Sequence, residues 1–577
     1  MADTSKVIEQ FLGDDEFPIE WESPEEKGLF WVYDDLHCPQ PLSPMYFDIG
    51  GWWLTCDHMF RRFGTPFASD WIAKNVSGYL YTTAIPADPD FHVPSKEYNN
   101  LYVARVPKDD PEYASKIGNY LNAVLPTYGL NFADWWRNRL VPEMRGNLEY
   151  LESKIDRYQE IDLMEWAVIL EDAIDIHDRH WKIHWMLNFS QLSATLNLKA
   201  VMEEVRGKVD EALLGRLQNS AADRNWDAIE ALWKMKEMAK QDEALGQAFS
   251  KDTGDEIYSA LESTERGKTF IEENLRPYQR EFGWHAVWSH ELIFPSRFED
   301  PTPVVDVIKG YLESDYDYPS AVKELADDIA RASEELLEGL EGEALEKMKA
   351  TNELNLKMAP LTPDHHFYID QGTNAHVRLV LICIGRKLVE AGLIDAPEDV
   401  VFLKYNELRY LIGDLENFDA RPIVAERKAE RARSEKIRPR DWIGTATESQ
   451  LAFPYLSLWG FPDRLYIEQG AVETVTGIAA SPGVFEGTAK VVRSIDEFDE
   501  VRKGDILVCQ MTNPAWTPLF ALVSAIVTDA GGTVSHPAVM AREFGIPAVI
   551  GCSVATTRIK TGDRLRVNGS TGVVEVL

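Results

Sequence analysis

The residues whose types and order can do chemistry gather in a few short runs. The sharpest is TDAGGTVSHPAVMAREFGIPAVIG, Thr528 to Gly551. An apolar strand pattern, SAIVTD, ends at a Gly-Gly pair. Ser535 then stands at a helix N-cap position, with His536 in the first turn and Pro537 where proline is tolerated. Gly545 is placed to take a left-handed cap and Pro547 to stop the helix. One imidazole is therefore presented at a helix N-terminus, where free backbone N–H groups and the helix dipole favour an anion. A neutral ring nitrogen there can attack phosphorus, and the phosphohistidine so formed is held by the same dipole. The alternative is a histidine that only caps a helix.

Three other runs carry acid–base side chains. DHHFYIDQG sets His365 and His366 between Asp364 and Asp370, with Tyr368 among them. HDRHWKIH spaces His177, His180 and His184 by three and four, on one face of a helix. FGWHAVWSHELIFPSRFEDP, Phe282 to Pro301, carries His285 and Glu291. Two histidines on one helix turn can bind zinc, but there is no HExxH pattern and the further ligand is unassigned. The expectation for the triple is a structural or substrate-lining role and no metal site.

The elements that must position these groups follow from composition. The chain has 577 residues with 59 Lys+Arg and 95 Asp+Glu, a net charge of −36. Nucleic-acid phosphates and anionic membranes repel such a chain, so neither is expected as a partner. Residues 471–577 hold 9 basic and 11 acidic residues, a net of −2, which leaves −34 on residues 1–470. The C-terminal part is a series of short Val/Ile/Thr runs broken by turn residues: GTAKVVRS, DILVCQM, SAIVTDAGG, PAVIGCS, DRLRVNGS and GVVEVL. These read as strands around one helix near Pro537–Phe544.

Residues from about 131 to 358 have few Gly or Pro and are dense in Glu, Lys, Ala and Leu, which reads as long helices. The LVLICIG run, Leu379–Gly385, reads as a buried helix segment. The first 110 residues, rich in Trp, Tyr, Pro and Gly, predict irregular structure with short strands. Most of their tryptophans, Trp21, Trp31, Trp52, Trp53 and Trp71 among them, are expected in the core. The basic stretch Arg427–Arg440, interleaved with Glu, predicts a solvated helix. The fold class expected is therefore multidomain: a large, mainly α-helical substrate-binding domain over 1–460, a linker over 461–476, and a small α/β domain over 477–577.

Cys38, Cys56, Cys383, Cys509 and Cys552 are scattered and form no CxxC, so reduced thiols and a cytoplasmic setting are expected. The acidic N-terminus has no apolar core of a secretory signal. No apolar run approaches the ~20 residues needed to span a bilayer.

The pattern Gly-Gly-x-x-Ser-His-x-Ala-x-x-Ala-Arg-Glu-x-Gly-Ile-Pro-Ala-Val resembles the swivelling phosphohistidine domain of the PEP-utilising and pyruvate phosphate dikinase superfamily. GIAASPGVFEGTAKVV (Gly477–Val492) and TNPAWTP (Thr512–Pro518) look like parts of the same domain. The resemblance implies that His536 is the phosphorylated residue and that Asp529, Gly531, Gly532, Ser535 and Arg542 form its loop. Val534 stands where many members carry Thr, which removes a hydroxyl near the phosphate.

LHCPQPLSPMYFD (Leu36–Asp48), Phe282–Pro301 and Gly385–Leu408 are similar to the substrate-binding domain of rifampin phosphotransferase-like proteins. Those relatives carry an Arg and a Lys at the place that looks like His365 and His366. No basic, Gly-rich nucleotide site and no PEP-binding barrel pattern of about 250 residues is evident. That arrangement resembles phenylphosphate synthase, which is built on separate polypeptides.

The expectation is thus a phosphotransferase subunit that needs a separate ATP-grasp partner. ATP and Mg2+ are used at the partner's site, His536 carries the phosphoryl group, and a phenolic hydroxyl receives it, giving AMP, inorganic phosphate and an aryl phosphate. His366, His365 and His285 are the candidate bases, since an imidazole suits removal of a phenol proton. Asp364, Tyr368, Asp370, Glu291, His180 and His184 are the candidates for lining the acceptor. The rivals are an antibiotic or natural-product phosphotransferase and a PEP synthase-like phosphocarrier with no small-molecule acceptor.

Overall fold

The computed structural model describes residues 17–35, 37–56, 58, 68–86, 128–414, 418–437, 439–446, 456, 474–492, 495–512, 516–520, 522–529, 531, 536–552 and 554–577. The chain forms two compact units. One consists of residues 130–195 and 220–424, the other of residues 1–129, 196–219 and 425–577. In this division residues 425–577 group with the N-terminal residues 1–129 and with 196–219.

The first unit is helical, as its composition predicts. Its longest element, Leu163–Arg206, has 44 residues, some of which belong to the other unit. Trp166, Leu170, Ala173, His177, Trp181 and His184 recur along it at three- and four-residue spacing and are buried. That is the apolar stripe of a packed helix, with the histidines set into it. Val141–Ile155 buries Met144, Leu148 and Leu151 on one face.

The Asn374–Glu390 helix is buried from Asn374 through Gly385 on every side, so the apolar LVLICIG run lies in a core helix. Gly385 is there because of a close approach: a Cβ at this position would sit 2.0 Å from the Pro397 carbonyl oxygen. Arg378 of this helix is buried and donates from Nε to Glu299 at 3.0 Å. Between the short helix Leu361–His365 and Asn374, residues His366–Thr373 take the wider π-helical form. Such widened turns recur at functional sites. The DHHFYIDQG run is thus helical itself and continues into the Asn374–Glu390 helix.

The second unit holds two sheets. The first has the order β2-β3-β1-β4, with β1 Phe30–Tyr33, β2 Ala68–Val76, β3 Tyr79–Pro86 and β4 Trp442–Gly444. β2 and β3 form a hairpin across Ser77 (φ 53°) and Gly78 (φ 87°), the left-handed pair that a two-residue turn demands. β1 pairs with β4 in the register Trp31↔Ile443, which ties strands over 400 positions apart. Trp31, Trp52, Trp53 and Trp71 are buried and Trp21 is half-buried against the core around Trp31, so most of these N-terminal tryptophans pack the core. The basic stretch begins in the exposed Arg421–Ser434 helix. Its end is pinned, because Tyr79 donates to the Ser434 and Ile437 carbonyls at 2.8 and 2.9 Å and Tyr81 donates to Arg440 at 2.5 Å.

The second sheet has eight strands in the order β5-β12-β11-β7-β8-β9-β10-β6. They are β5 Thr474–Thr476, β6 Ile478–Ser481, β7 Val484–Val492, β8 Ile506–Cys509, β9 Ala525–Thr528, β10 Ala548–Ile550, β11 Arg564–Asn568 and β12 Val573–Val576. Every apolar run quoted for this region supplies one of these strands. β7 through β10 pair parallel in sequence order and the remaining pairs are antiparallel. β8 and β9 are buried on both faces because a core lies on each side of the sheet, one around Val508, Val527 and Leu565, the other around Leu507, Ile526 and Ala538. The linker expected over 461–476 falls outside the described residues up to 473, and its last three residues form β5. All five cysteines are buried and free. No described helix is long and apolar enough to cross a membrane.

Candidate active site

In the small α/β region, β9 leads through Asp529 and Gly531 to the helix His536–Glu543. His536 is the first helical residue, so its backbone N–H belongs to the set a helix leaves without an internal acceptor. The helix ends at Gly545 with φ 64°, the left-handed cap expected there. Gly531 has φ 123°, and a Cβ at Gly551 (φ 66°) would lie 2.9 Å from the Gly531 carbonyl oxygen, so both positions suit glycine. The buried carboxylate of Asp529 accepts the Thr556 N–H at 3.0 Å and the Thr556 hydroxyl, which ties β9 to the Ala555–Arg558 helix. Gly532, Val534 and Ser535 lie outside the described residues, as do the side chains of His536 and Arg542.

In the helical unit, the three acid–base runs converge. His184 comes from the Leu163–Arg206 helix, His290 from the Phe282–Pro301 segment, and His365, His366 and Asp370 from the π-helical segment and the turn before it. The His184 and His365 rings have centroids 4.8 Å apart, His365 and His366 4.1 Å apart, and Trp181 lies 4.9 Å from His184 and 5.7 Å from His290. His366 and Asp370, four positions apart, are joined by a bond between Nδ1 and Oδ2.

The two adjacent histidines are unlike. His366 has a side chain 54 % exposed, whereas His365 is only 3 % exposed. Burial, followed by the neighbouring His366, pushes the His365 pKa well below its usual value, so its ring is neutral. Burial alone would raise the Asp370 carboxyl, but the facing His366 imidazole, by its charge and its hydrogen bond, outweighs it and holds Asp370 below the usual carboxylate range. An ionised, buried carboxylate thus fixes one ring nitrogen of an imidazole whose other edge is accessible. That is the arrangement of an oriented general base.

The remaining candidates are mostly braces. His180 is buried, with Nδ1 2.7 Å from the Thr373 hydroxyl and Nε2 3.1 Å from Asn147. His177 receives the Trp181 indole N–H at 3.0 Å and stands 3.2 Å from Asn374. Burial lowers the His177 pKa to about 4 and that of His180 to about 3. Asp364 accepts the Arg224 backbone N–H at 2.8 Å and the Trp136 indole N–H at 3.3 Å, so it anchors the Arg224–Gln241 helix. Burial raises its pKa, and burial raises that of Tyr368 too.

Glu291 is buried and accepts the Ile293 N–H at 3.1 Å. Beside it, Trp284, Gln371, Asn374 and Arg378 line a cavity of about 10 Å3, room for a single water. The His285 ring packs on Phe367 at 6.3 Å. Sequence reasoning missed His290 and Asn374. His290 lay in a run already singled out. Asn374, which donates to the Ser289 and Asp370 carbonyls at 2.8 and 2.9 Å, carried no signal.

Residues 501–572 match the PEP-utilising enzyme mobile domain, and residues 184–358 match the rifampicin phosphotransferase fourth domain. The chain is similar to the PEP-utilising phosphotransferases. Over 400 residues it is 30% identical to the uncharacterized phosphotransferase YvkC of Bacillus subtilis (strain 168), covering 68% of this chain and 47% of that protein. It is 26% identical over 586 residues to chondramide synthase cmdD of Chondromyces crocatus, covering 97% of this chain and 14% of that protein. Over 190 residues it is 37% identical to the rifampicin phosphotransferase of Bacillus subtilis (strain 168), covering 33% and 20%. The chain therefore spans less than half the length of each of these relatives.

Proposed function

We propose that the protein transfers a phosphoryl group from phosphorylated His536 to the hydroxyl of a phenolic compound bound at the histidine cluster of the helical unit. The observation that carries this reading is the His366–Asp370 pair, an oriented imidazole beside a buried carboxylate. In the transfer, the P–N bond to His536 breaks and its electron pair returns to the ring. The acceptor oxygen forms the new P–O bond, and its proton passes to Nε2 of His366 while Asp370 holds Nδ1. Acid–base help of this kind contributes about 10²–10⁴-fold, and positioning supplies much of the rest.

The phosphoryl donor in this reading is ATP, used with Mg2+ by an ATP-grasp module outside these 577 residues, with AMP and inorganic phosphate released as water is consumed. The greater length of the relatives leaves room for such a module. A cytoplasmic setting accompanies it, consistent with five free thiols. A second reading, a larger antibiotic-like acceptor, is favoured by the match of residues 184–358 to the rifampicin phosphotransferase fourth domain.

The test is to incubate the chain with a candidate ATP-grasp protein, ATP, Mg2+ and either a panel of phenols or a rifamycin, and to follow products by phosphorus NMR. Aryl phosphate from the phenols supports the first reading, and phosphorylated rifamycin alone supports the second. Phospho-His536 with no phosphorylated small molecule would refute both.

A further inference from the structure

We propose that His184, His365 and Asp370 bind one divalent first-row transition-metal ion, leaving a coordination position open to the acceptor. One ligand atom from each residue lies within 4.8 Å of the other two. Two features of the site point to a missing ligand. His365 is almost fully buried, yet neither ring nitrogen has a hydrogen-bond partner, and the same holds for Oδ1 of Asp370. Buried polar atoms are normally satisfied, and here one from each of His365 and Asp370 belongs to the close-set group. Nε2 of His365 stands 3.7 Å from Oδ2 of Asp370.

The surroundings fit the role. Asn188 sits 2.8 Å from Nε2 of His184, which assigns Nδ1 as the ligand atom. His366 occupies Oδ2 of Asp370, which assigns Oδ1. These are the outer contacts that orient metal ligands. Two imidazoles and one carboxylate are a donor set for Zn2+ or its neighbours, whereas Mg2+ and Ca2+ prefer oxygen alone. Three protein ligands rather than four is the pattern of a catalytic site. Tetrahedral bonds of 2.0–2.1 Å separate ligand atoms by roughly 3.4 Å, so binding draws the three side chains together.

The set is not the one the sequence offers. His177 and His180 share a helix face with His184 but are held by Trp181 and Asn374, and by Thr373 and Asn147. The two further ligands come instead from residues 365 and 370. An ion here would polarise the acceptor oxygen and offset charge on the incoming phosphoryl group. That role rests on the proposed function, whereas the binding itself does not.

The test needs neither ATP nor acceptor, so its failure is separate from failure of the transfer reading. The full chain, stripped with a chelator and dialysed, is titrated with Zn2+ and Co2+ by calorimetry. One equivalent should bind. Affinity should fall at least 100-fold in His365→Gln and in Asp370→Asn, and stay within twofold in His536→Gln. On the unmodified chain, pulsed EPR of bound Cu2+ should show couplings from two imidazoles, a readout that does not depend on the variants folding. Absence of stoichiometric binding, binding that survives His365→Gln and Asp370→Asn in folded protein, loss of binding in His536→Gln, or fewer than two imidazole couplings would overturn the proposal.

Discussion

His536 and the His365–His366 pair place the same side chain in opposite settings. His536 opens an eight-residue helix behind a glycine turn, in a region of near-zero net charge. As the first residue of that helix it stands where unpaired backbone N–H groups and the helix dipole favour an anion. The pair in the helical unit sits among side chains from three distant segments, in the part of the chain that holds nearly all of the net charge. There one ring is buried and neutral and the next is exposed and tied to a carboxylate. The contrast suits the two roles proposed. A carrier must hold phosphate without being tuned to one partner, whereas an acceptor site must distinguish hydroxyl from water and direct a proton.

The comparison can be broken by substitution, and the largest effect belongs to the carrier. His536→Ala should abolish both the phosphoenzyme and product formation, a loss of more than about 10⁴-fold in turnover by phosphorus NMR. A variant that keeps transfer activity removes the carrier role. Next, His366→Ala and Asp370→Asn should leave phospho-His536 formation intact while slowing transfer about 10²–10³-fold in single-turnover assays. Equal loss at both steps would mean that the two regions do not divide the work.

Asp364 sharpens the distinction within the acceptor region. It lies two residues from His366 but is spent on Arg224 and Trp136. Asp364→Ala should cost about 1–2 kcal/mol of stability in denaturant unfolding, with transfer changed less than threefold.

The helix that starts at His536 and the strands around it were legible in the sequence because their signals lie within Thr528–Gly551 and the adjoining apolar runs. Gly-Gly, Ser-His-Pro and Gly-Ile-Pro each name a backbone conformation, and short apolar runs bounded by turns name strands. The eight-strand order was not legible, since β6 and β10 pair residues 67 to 72 positions apart only once the sheet is built. The acceptor cluster was half legible. Residue types flagged His184, His365, His366 and Asp370, but spacing joined His184 to His177 and His180, its neighbours along one helix. Its partners 181 and 186 positions away follow from helix packing, which no local periodicity encodes. Burial then separated His365 from His366, and local sequence treats the two alike.

A smaller effect comes from pH. His177 and His180 have folded pKa values of about 4 and about 3, below the ordinary value of 6.5. The unfolded chain therefore binds protons that the folded chain refuses. Their contribution is fully present above pH 6.5 and is lost as pH falls from there toward 4 and then 3. Melting temperature should drop over that window, and His177→Gln should remove up to about 1.4 kcal/mol per pH unit from the slope between pH 6 and 4.5. An unchanged slope would mean that His177 is not held neutral by burial. Smallest in its effect on transfer, Gly385→Ala should destabilise by about 1–3 kcal/mol through its contact with Pro397, without altering phosphorylation of His536.

The most direct measurement isolates the chain with His536 phosphorylated, mixes it rapidly with a phenol that the steady-state assay has found to be a substrate, and quenches at intervals. Loss of phosphohistidine should match the appearance of aryl phosphate one for one in the wild-type chain, and the His366→Ala chain should keep its phosphohistidine about 10²-fold longer. Phosphohistidine that persists or hydrolyses to inorganic phosphate without aryl phosphate, or a His366→Ala chain that transfers at the wild-type rate, would contradict the account.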